Sequence, residues 1–254
     1  MKEALNICLL QCDLHWEDPL KNRTQIDAYL AEVTGADIIL LPELFSTGFS
    51  VASIHLVESM DGETVVWMKA QAKKKKAVLC GSVMIEDKGH IYNRLLWVEP
   101  NGRVLHYDKR HLFSLIEEDR HFTAGTKRLI IEYEGWKICP MICYDLRFPH
   151  LYRQLALDGA KLLLVPSAFT KPSGKSHWHV LLRARAIETG CYIVAPAQHG
   201  THADGRQTYG HSLIVNPWGE VMADASNDEG FISAILDFKN VEIYEHPGVG
   251  EIIA

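Results

Sequence analysis

The sequence predicts an α/β domain with mixed β-sheets, and three observations point to this class. Short apolar runs rich in β-branched residues alternate with segments of helical periodicity. Two other segments have the pattern of hairpins, which adds antiparallel strands to an otherwise parallel arrangement. No stretch rich in Gly, Ser or Pro divides the 254 residues, so we expect a single domain over residues 1–254.

The predicted strands are apolar runs that suit burial on both faces of a sheet. In chain order they are "NICLLQC", "ADIILLPE", "AVLCGSVMI" and "KLLLVPSAF". Pro19 and Gly35 bound a helix between the first two runs. A second helix begins near Asp61 and ends in four lysines at 73–76. Cations there oppose the negative end of the helix, which favours a solvated helix end over a binding patch.

The remaining elements are two helices and two hairpins. Helical spacing relates Leu151 to Leu155 and Trp178 to Leu182. The hairpins are "HIYNRLLWVEPNGRVLHYDK" and "TYGHSLIVNPWGEVMADA", each centred on a turn that contains Pro and Gly.

Charge and composition argue against several classes of protein. The net charge is −6 and the pI about 6.1, whereas a nucleic-acid-binding protein is typically basic. No apolar stretch is long enough to cross a membrane, and the first residues do not resemble a signal peptide. We therefore expect a cytoplasmic protein, in which six cysteines stay reduced.

Three predicted strands end in chemically reactive side chains. Glu43 follows "IILLP", Lys109 follows "VLHYD", and Cys143 follows "ICPMI". Ligands gather beyond the carboxyl ends of strands in α/β sheets, so these groups could surround one pocket. Glu43 could take the thiol proton as a general base. Lys109 and a backbone N–H near Tyr144 could stabilise an oxyanion.

Each of these residues also has a purely structural interpretation. A cysteine at a strand end is commonly a packing residue, and a lone Glu or Lys there is commonly a surface group. A helix after Cys143 would favour its thiolate through the field at the helix N-terminus. Cys139 lies on the same strand face by period-two counting, and we interpret it as a packing residue. From these residues alone the two interpretations remain open.

Three motifs together resemble the nitrilase superfamily of carbon–nitrogen hydrolases. They are "LPELFSTGF", "YDKRHLF" and "ICYDLRFP", in the order that the family shows. The resemblance continues through "VPSAF", "HWHVLLRARAIETGCYIVAPAQ" and "YGHSLIVNPWGEV" and covers nearly the whole chain. It implies a four-layer αββα sandwich of the nitrilase type with two mixed sheets. It also implies a catalytic triad of Glu43, Lys109 and Cys143, assembly into a homodimer, and no cofactor or metal.

The resemblance implies a second glutamate in the loop after Lys109, which positions the substrate. The loop is "SLIEEDRHFTAG", and Glu118 precedes "DRHF" at the expected place. Glu117 is adjacent, so the choice between the two stays open at this stage.

Several other residues lie close to the three motifs. We expect substrate contacts from Tyr144 and from four aromatic residues that could equally belong to the core, namely Phe49, Phe122, Phe169 and Trp178. Arg147 could bind a substrate carboxylate, although we interpret it as part of a structural ion pair. We interpret Asp145 as a local cap or as the partner in that pair, rather than as a catalytic acid.

Four histidines could in principle bind zinc, namely His177, His179, His199 and His202. His177 and His179 are two positions apart in a predicted helix, where their side chains diverge. We therefore expect no metal site among them.

Within the superfamily, the residues of these motifs are most similar to those of the ω-amidase branch. This implies a small-molecule amide substrate, the terminal carboxamide of a dicarboxylic acid monoamide such as 2-oxoglutaramate. Related alternatives are a deaminated-glutathione amidase and an N-carbamoyl amide hydrolase. Two unlike alternatives are a catalytically silent binding protein on the same fold and a thiol redox protein that uses Cys143.

Overall fold

Two six-stranded β-sheets form the centre of the protein in a computed structural model that describes residues 2–243. Met1 and residues 244–254 of the expected 1–254 domain lie outside the described part. The strands are β1 Ala4–Gln11, β2 Ile38–Leu40, β3 Val78–Asp87, β4 His90–Val98, β5 Val104–Asp108, β6 Ile131–Tyr133, β7 Trp136–Pro140, β8 Leu162–Leu164, β9 Tyr192–Ala195, β10 His199–Thr201, β11 Gln207–Tyr209, β12 Leu213–Val215, β13 Val221–Asp224 and β14 Gly230–Asp237.

Both sheets are mixed and have the same pattern of neighbours. The first has the order β14-β1-β2-β3-β4-β5, and the second has the order β6-β7-β8-β9-β12-β13. In each order the successive pairs are antiparallel, parallel, parallel, antiparallel and antiparallel. The remaining strands, β10 and β11, form a small separate hairpin.

Four helices cover the outer faces of the two sheets. The helices of the described residues are α1 Pro19–Glu32, α2 Glu63–Lys75, α3 Glu118–His121, α4 Pro149–Leu157, α5 Lys171–Thr189 and α6 Lys239–Ile243. The helices α1 and α2 pack on the first sheet, and α4 and α5 pack together on the second. The layers therefore follow the order αββα, which confirms the predicted fold class.

The alternation of side chains along β1 shows why the predicted strands are apolar on both faces. Leu5, Ile7 and Leu9 join the central core between the sheets, whereas Cys8 and Leu10 join the core under α1 and α2. Successive strand residues point to opposite faces, and both faces are covered here. A continuous apolar run is the expected result.

The predicted elements are present, with differences at their ends. The helix expected between Pro19 and Gly35 ends at Glu32, and the helix near Asp61 begins at Glu63. Both predicted hairpins form, as β4–β5 and β12–β13. The strand expected to end at Cys143 ends at Pro140 instead.

Among the described residues, no helix is both long enough and apolar enough to cross a membrane.

Candidate active site

Glu43 lies in a tight turn shortly after β2. The next residue, Leu44, has a positive φ of 45°, and its N–H donates to Ser82 Oγ at 2.9 Å. The carbonyl of Glu43 accepts a 2.6 Å hydrogen bond from Gln198 Nε2. These contacts hold the backbone on both sides of the side chain, so the fully buried carboxylate has a fixed direction.

Lys109 follows β5 directly and its side chain is fully buried. Its N–H donates to the carbonyl of Asn93, which continues the β4–β5 ladder by one step. Its ammonium lies 2.8 Å from Glu43 Oε1 and at hydrogen-bond distance from both oxygens of Glu118. A buried ammonium requires such partners, because an unpaired charge in this environment is strongly unfavourable.

Glu118, rather than Glu117, is the glutamate that contacts Lys109. Glu118 is fully buried and also accepts a 2.7 Å hydrogen bond from the N–H of Phe113. Glu117 is exposed and pairs with Arg120 at 2.7 Å. The sequence left open which of the two glutamates reaches Lys109, and in the structure it is Glu118.

Asn93 belongs to the same polar cluster, and the sequence analysis missed it. It lies on β4, and its Nδ2 donates to Glu43 Oε1 at 2.9 Å and to Glu118 Oε1 at 3.2 Å. Its amide therefore bridges the two carboxylates through the same two oxygens that contact Lys109. A polar residue within an alternating strand would have been the only signal in the sequence.

Cys143 begins a short 3-10 turn, Cys143–Arg147, and has a positive φ of 42°. Non-glycine residues rarely adopt this backbone region, and such residues concentrate at functional sites. Its N–H donates to the carbonyl of Pro166 at 3.0 Å. The thiol interacts with the Glu43 carboxylate and with the backbone of Ala168. The turn therefore points the sulfur towards the buried polar cluster.

Hydrogen bonding leaves one oxygen of Glu43 available. Lys109 and Asn93 both donate to Oε1, whereas Oε2 accepts no hydrogen bond from any nitrogen or oxygen of the described residues. The thiol of Cys143 interacts with this carboxylate and is the candidate proton donor to its open oxygen. The arrangement suits transfer of the thiol proton to Glu43.

The charges of the cluster shift the pKa values of its members. Burial, and then the negative charge of Glu43, raise the pKa of the Cys143 thiol well above its ordinary value. Burial, reinforced by Glu118, raises the pKa of Glu43 despite the opposing charge of Lys109. Burial alone would lower the pKa of Lys109, but the carboxylates of Glu118 and Glu43 raise it.

The helix α4 follows the cysteine, as predicted, and its effect on the thiolate stays a prediction. Burial and the charge of Glu43 act in the opposite direction, against ionisation of the thiol. Lys109 remains cationic, and the resting sulfur is a neutral thiol with a base beside it.

A small cavity opens at Cys143. Four aromatic side chains line it, namely Phe49, Phe113, Tyr144 and Phe169. The other lining residues are Lys109, Cys143, Arg147, Ala168, Thr170 and Ser173. The sequence analysis named Phe49, Tyr144 and Phe169, but it missed Phe113 and the small residues of the 168–173 segment.

Phe122 and Trp178 do not line this cavity, contrary to the expectation from the sequence. Phe122 is buried in a cluster with Phe49, and Trp178 is fully buried with its ring 4.9 Å from Phe169. Both residues therefore support cavity-lining rings from behind. Their spacing within the motifs could not distinguish these two positions.

Asp145 and Arg147 do not form the ion pair that we expected. Asp145 accepts hydrogen bonds from Tyr107, from His111 and from the N–H of Ile142, which makes it a cap of the 3-10 turn. The guanidinium of Arg147 lies 5.2 Å from the ring centre of Phe169. No carboxylate of the described residues forms an ion pair with it.

Cys139 lies in the central core, fully buried, as we expected of a packing residue. Burial raises its pKa to about 12. Of Cys139 and Cys143, only Cys143 lines the cavity.

Comparison with known proteins is consistent with this geometry. The profile of the carbon–nitrogen hydrolase family matches residues 6–245. The chain belongs to the carbon–nitrogen hydrolase family. This carbon–nitrogen hydrolase is 40% identical to omega-amidase YafV of Escherichia coli, over 87% of this chain and 85% of the relative. It is 34% identical to the 2-oxoglutaramate amidase of Bacillus subtilis, over 92% and 91% of the two chains.

A solved structure with the same fold is that of XC1258 from Xanthomonas campestris, a CN-hydrolase superfamily protein with an arsenic adduct in the active site. The TM-score is 0.91 and the identity 34%, over 95% of this carbon–nitrogen hydrolase and 94% of XC1258. Membership of the family makes the protein a hydrolase that acts on carbon–nitrogen bonds.

Proposed function

We propose that this carbon–nitrogen hydrolase is an ω-amidase, which hydrolyses the terminal carboxamide of small dicarboxylic acid monoamides such as 2-oxoglutaramate. The observation that carries the proposal is that one small cavity is lined by both the Cys143 thiol and the Arg147 guanidinium. A substrate with an amide at one end and a carboxylate at the other matches these two groups. The similarity to relatives named omega-amidase and 2-oxoglutaramate amidase supports the same class.

The first chemical step is attack of Cys143 on the amide carbonyl. The thiol proton passes to Glu43 as the carbon–sulfur bond forms, because the thiol is neutral at rest and Glu43 is the adjacent base. The raised pKa of Glu43 makes it a stronger base than an ordinary carboxylate. The same proton then moves to the amide nitrogen, the carbon–nitrogen bond breaks, and ammonia leaves a thioester on Cys143.

Water completes the reaction. Glu43, again unprotonated, takes a proton from water as the oxygen attacks the thioester carbonyl. The carbon–sulfur bond breaks, the sulfur recovers the proton, and the free acid leaves. No oxidant, reductant or cofactor is needed for this balance.

Two positive groups serve different ends of the substrate. Lys109 lines the cavity beside Cys143 and, with the N–H of Tyr144, stabilises the oxyanion. Arg147 binds the distal carboxylate, because its planar fork of donors suits that group and no carboxylate of the described residues occupies it. Phe49 and Phe169 limit the length of the chain between the two ends.

The test is a comparison of kcat/KM for four amides: 2-oxoglutaramate, succinamate, a carbamoyl amino acid and an uncharged aliphatic amide. The proposal requires the first two to be best, with ammonia as a product. A preference for the carbamoyl compound would assign another branch of the family. Absence of ammonia from every amide would favour a binding protein or a thiol redox protein.

We also propose that the enzyme is a cytoplasmic homodimer. The resemblance to the family implies pairing of αββα units, and α4 and α5 expose the apolar side chains of Leu157, Val180 and Ile187 on one outer layer. All six cysteines are unpaired thiols, which suits a reducing compartment. Light scattering that gave the mass of a monomer at working concentrations would refute the assembly.

A further inference from the structure

Three side chains outside the candidate active site converge on one point at the protein surface. They are His179 on α5, His211 in the connection between β11 and β12, and Asp224 at the end of β13. One ligand atom from each lies within 4.8 Å of the others. None of them lines the cavity at Cys143, so the proposed amidase chemistry does not use them.

We propose that His179, His211 and Asp224 form a binding site for a divalent transition-metal ion of the zinc class. Two imidazole nitrogens and one carboxylate oxygen suit borderline ions such as Zn²⁺, whereas Mg²⁺ and Ca²⁺ prefer oxygen alone. The three side chains are partly exposed. An ion can therefore enter from solution, and water can fill the fourth position.

The distances between the ligand atoms fit such an ion. His179 Nε2 lies 2.9 Å from Asp224 Oδ2, and His211 Nδ1 lies 3.1 and 3.3 Å from the two carboxylate oxygens. Tetrahedral zinc with bonds of about 2.0–2.2 Å separates its ligands by ~3.3–3.5 Å. Each His–Asp distance is therefore within a few tenths of an ångström of this value, and the two histidine nitrogens lie within 4.8 Å of each other.

The carboxylate of Asp224 already lies at hydrogen-bond distance from both imidazoles, and it also accepts a 2.7 Å hydrogen bond from the N–H of Ser226. Metal binding would replace the two imidazole hydrogen bonds and keep the one from Ser226.

The backbone around His211 holds its ring in place. The residue has a positive φ of 55°, its N–H donates to the carbonyl of Ser226, and its carbonyl accepts from Trp178 Nε1 at 2.7 Å. The ring stacks on Tyr209 with a centroid distance of 4.3 Å. Because the His211 ring is already held in place, less conformational entropy is lost when the ion binds. This favours a higher affinity for the ion.

The spacing of histidines in the sequence does not indicate this site. The obvious pair, His177 and His179, diverges as expected, and His177 contacts Arg147 instead. The actual neighbours of His179 come from later segments of the chain, which the β12–β13 hairpin brings against α5. An ion here would tie the helix to the hairpin.

The experiment uses untagged, chelator-treated Cys143→Ala protein, because the active-site thiol could itself bind zinc. Titration calorimetry should show one Zn²⁺ per chain, and saturating Zn²⁺ should raise Tm by at least ~2–4 °C. His179→Gln and His211→Asn, each added to Cys143→Ala, should abolish both effects. Added His177→Gln, on the same helix, should leave them unchanged.

The outcomes separate the metal site from a simple hydrogen-bonded cluster. Absence of zinc binding to Cys143→Ala, or binding that survives both histidine substitutions, would overturn the proposal. Co²⁺ gives a second readout, because its visible absorption distinguishes tetrahedral coordination from loosely bound hexahydrate. Tetrahedral bands that disappear in His179→Gln support the site, and hexahydrate spectra in every variant contradict it.

Discussion

Glu118 holds the ammonium of Lys109 with both of its carboxylate oxygens, at 2.9 and 2.8 Å from Nζ. Glu43 contacts the same ammonium through Oε1 alone. This unequal sharing neutralises the buried cation mainly through Glu118 and leaves Oε2 of Glu43 without a nitrogen or oxygen donor among the described residues. We infer that Glu118 positions Lys109 so that Glu43 can act as the base.

The substitution Glu118→Gln should therefore lower kcat more than Glu117→Gln. Loss of the charge releases Lys109 towards Glu43, and a displacement of this kind can cost on the order of 10²-fold in rate. Glu117 is exposed and pairs only with Arg120, so its substitution should leave turnover nearly intact. Steady-state ammonia assays measure both. An equal loss in the two variants would contradict the positioning role.

The substitution Cys143→Ala should abolish ammonia release, whereas Cys139→Ala should retain most of it. Cys143 lines the cavity beside Glu43, and Cys139 is a fully buried core residue. Intact-mass analysis of the wild type with a slow substrate should also detect an acyl adduct that Cys143→Ala lacks. Continued turnover by Cys143→Ala would eliminate the thioester mechanism.

The fold and much of the polar cluster could be predicted because both correspond to local patterns in the sequence. Buried strands are continuous apolar runs, and Glu43, Lys109 and Cys143 stand at the ends of such runs. The αββα order and the choice of Glu118 came from the resemblance to the family, since neither has a local pattern of its own.

The rest of the site depends on contacts between segments that are distant in the chain. Asn93 is a polar residue within a strand. The two-residue alternation of side chains along the strand does not show that loops cover its face of the sheet. Phe113 lines the cavity while Phe122 packs behind it, although they stand at the two ends of the same short segment, 113–122. Only the path of the backbone distinguishes them.

The rate should fall at acidic pH with a midpoint above the ordinary value of a glutamate. Burial and Glu118 raise the pKa of Glu43 above 4.5, so its basic form is lost at a higher pH than that of an exposed carboxylate. A profile of log kcat/KM against pH measures this limb, with circular dichroism as a control for unfolding. Glu43→Gln should lose at least ~10²-fold at neutral pH. A midpoint at or below 4.5 would refute the assignment.

His202 should make the protein less stable in mild acid. It is buried against Trp16, and neither ring nitrogen has a hydrogen-bond partner among the described residues. Burial, followed by the charge of Arg206, lowers its pKa from 6.5 to about 4. Its contribution is therefore complete above pH 6.5 and is lost as pH falls towards 4.

Linkage sets the size of this loss at roughly 3 kcal/mol. His202→Phe keeps a ring against Trp16 but cannot ionise, so its free energy of unfolding should fall less between pH 6.5 and pH 4. Urea unfolding of the two proteins across this window measures the difference. Parallel stability curves would show that His202 does not titrate with unfolding.

Arg147 should decide the preference for substrates that carry a carboxylate. Its guanidinium lines the cavity and forms no ion pair with the described residues, so a substrate carboxylate would be its first anionic partner. Arg147→Met should lower kcat/KM for 2-oxoglutaramate by about 10–100-fold, the usual worth of a hydrogen bond to a charged group. The uncharged amide should lose much less, because it never made that contact.

Arg153→Met, at an exposed position on α4, is the matched control and should change neither value. An equal loss for both substrates in Arg147→Met would mean that Arg147 supports the cavity wall through Phe169 rather than binding the carboxylate.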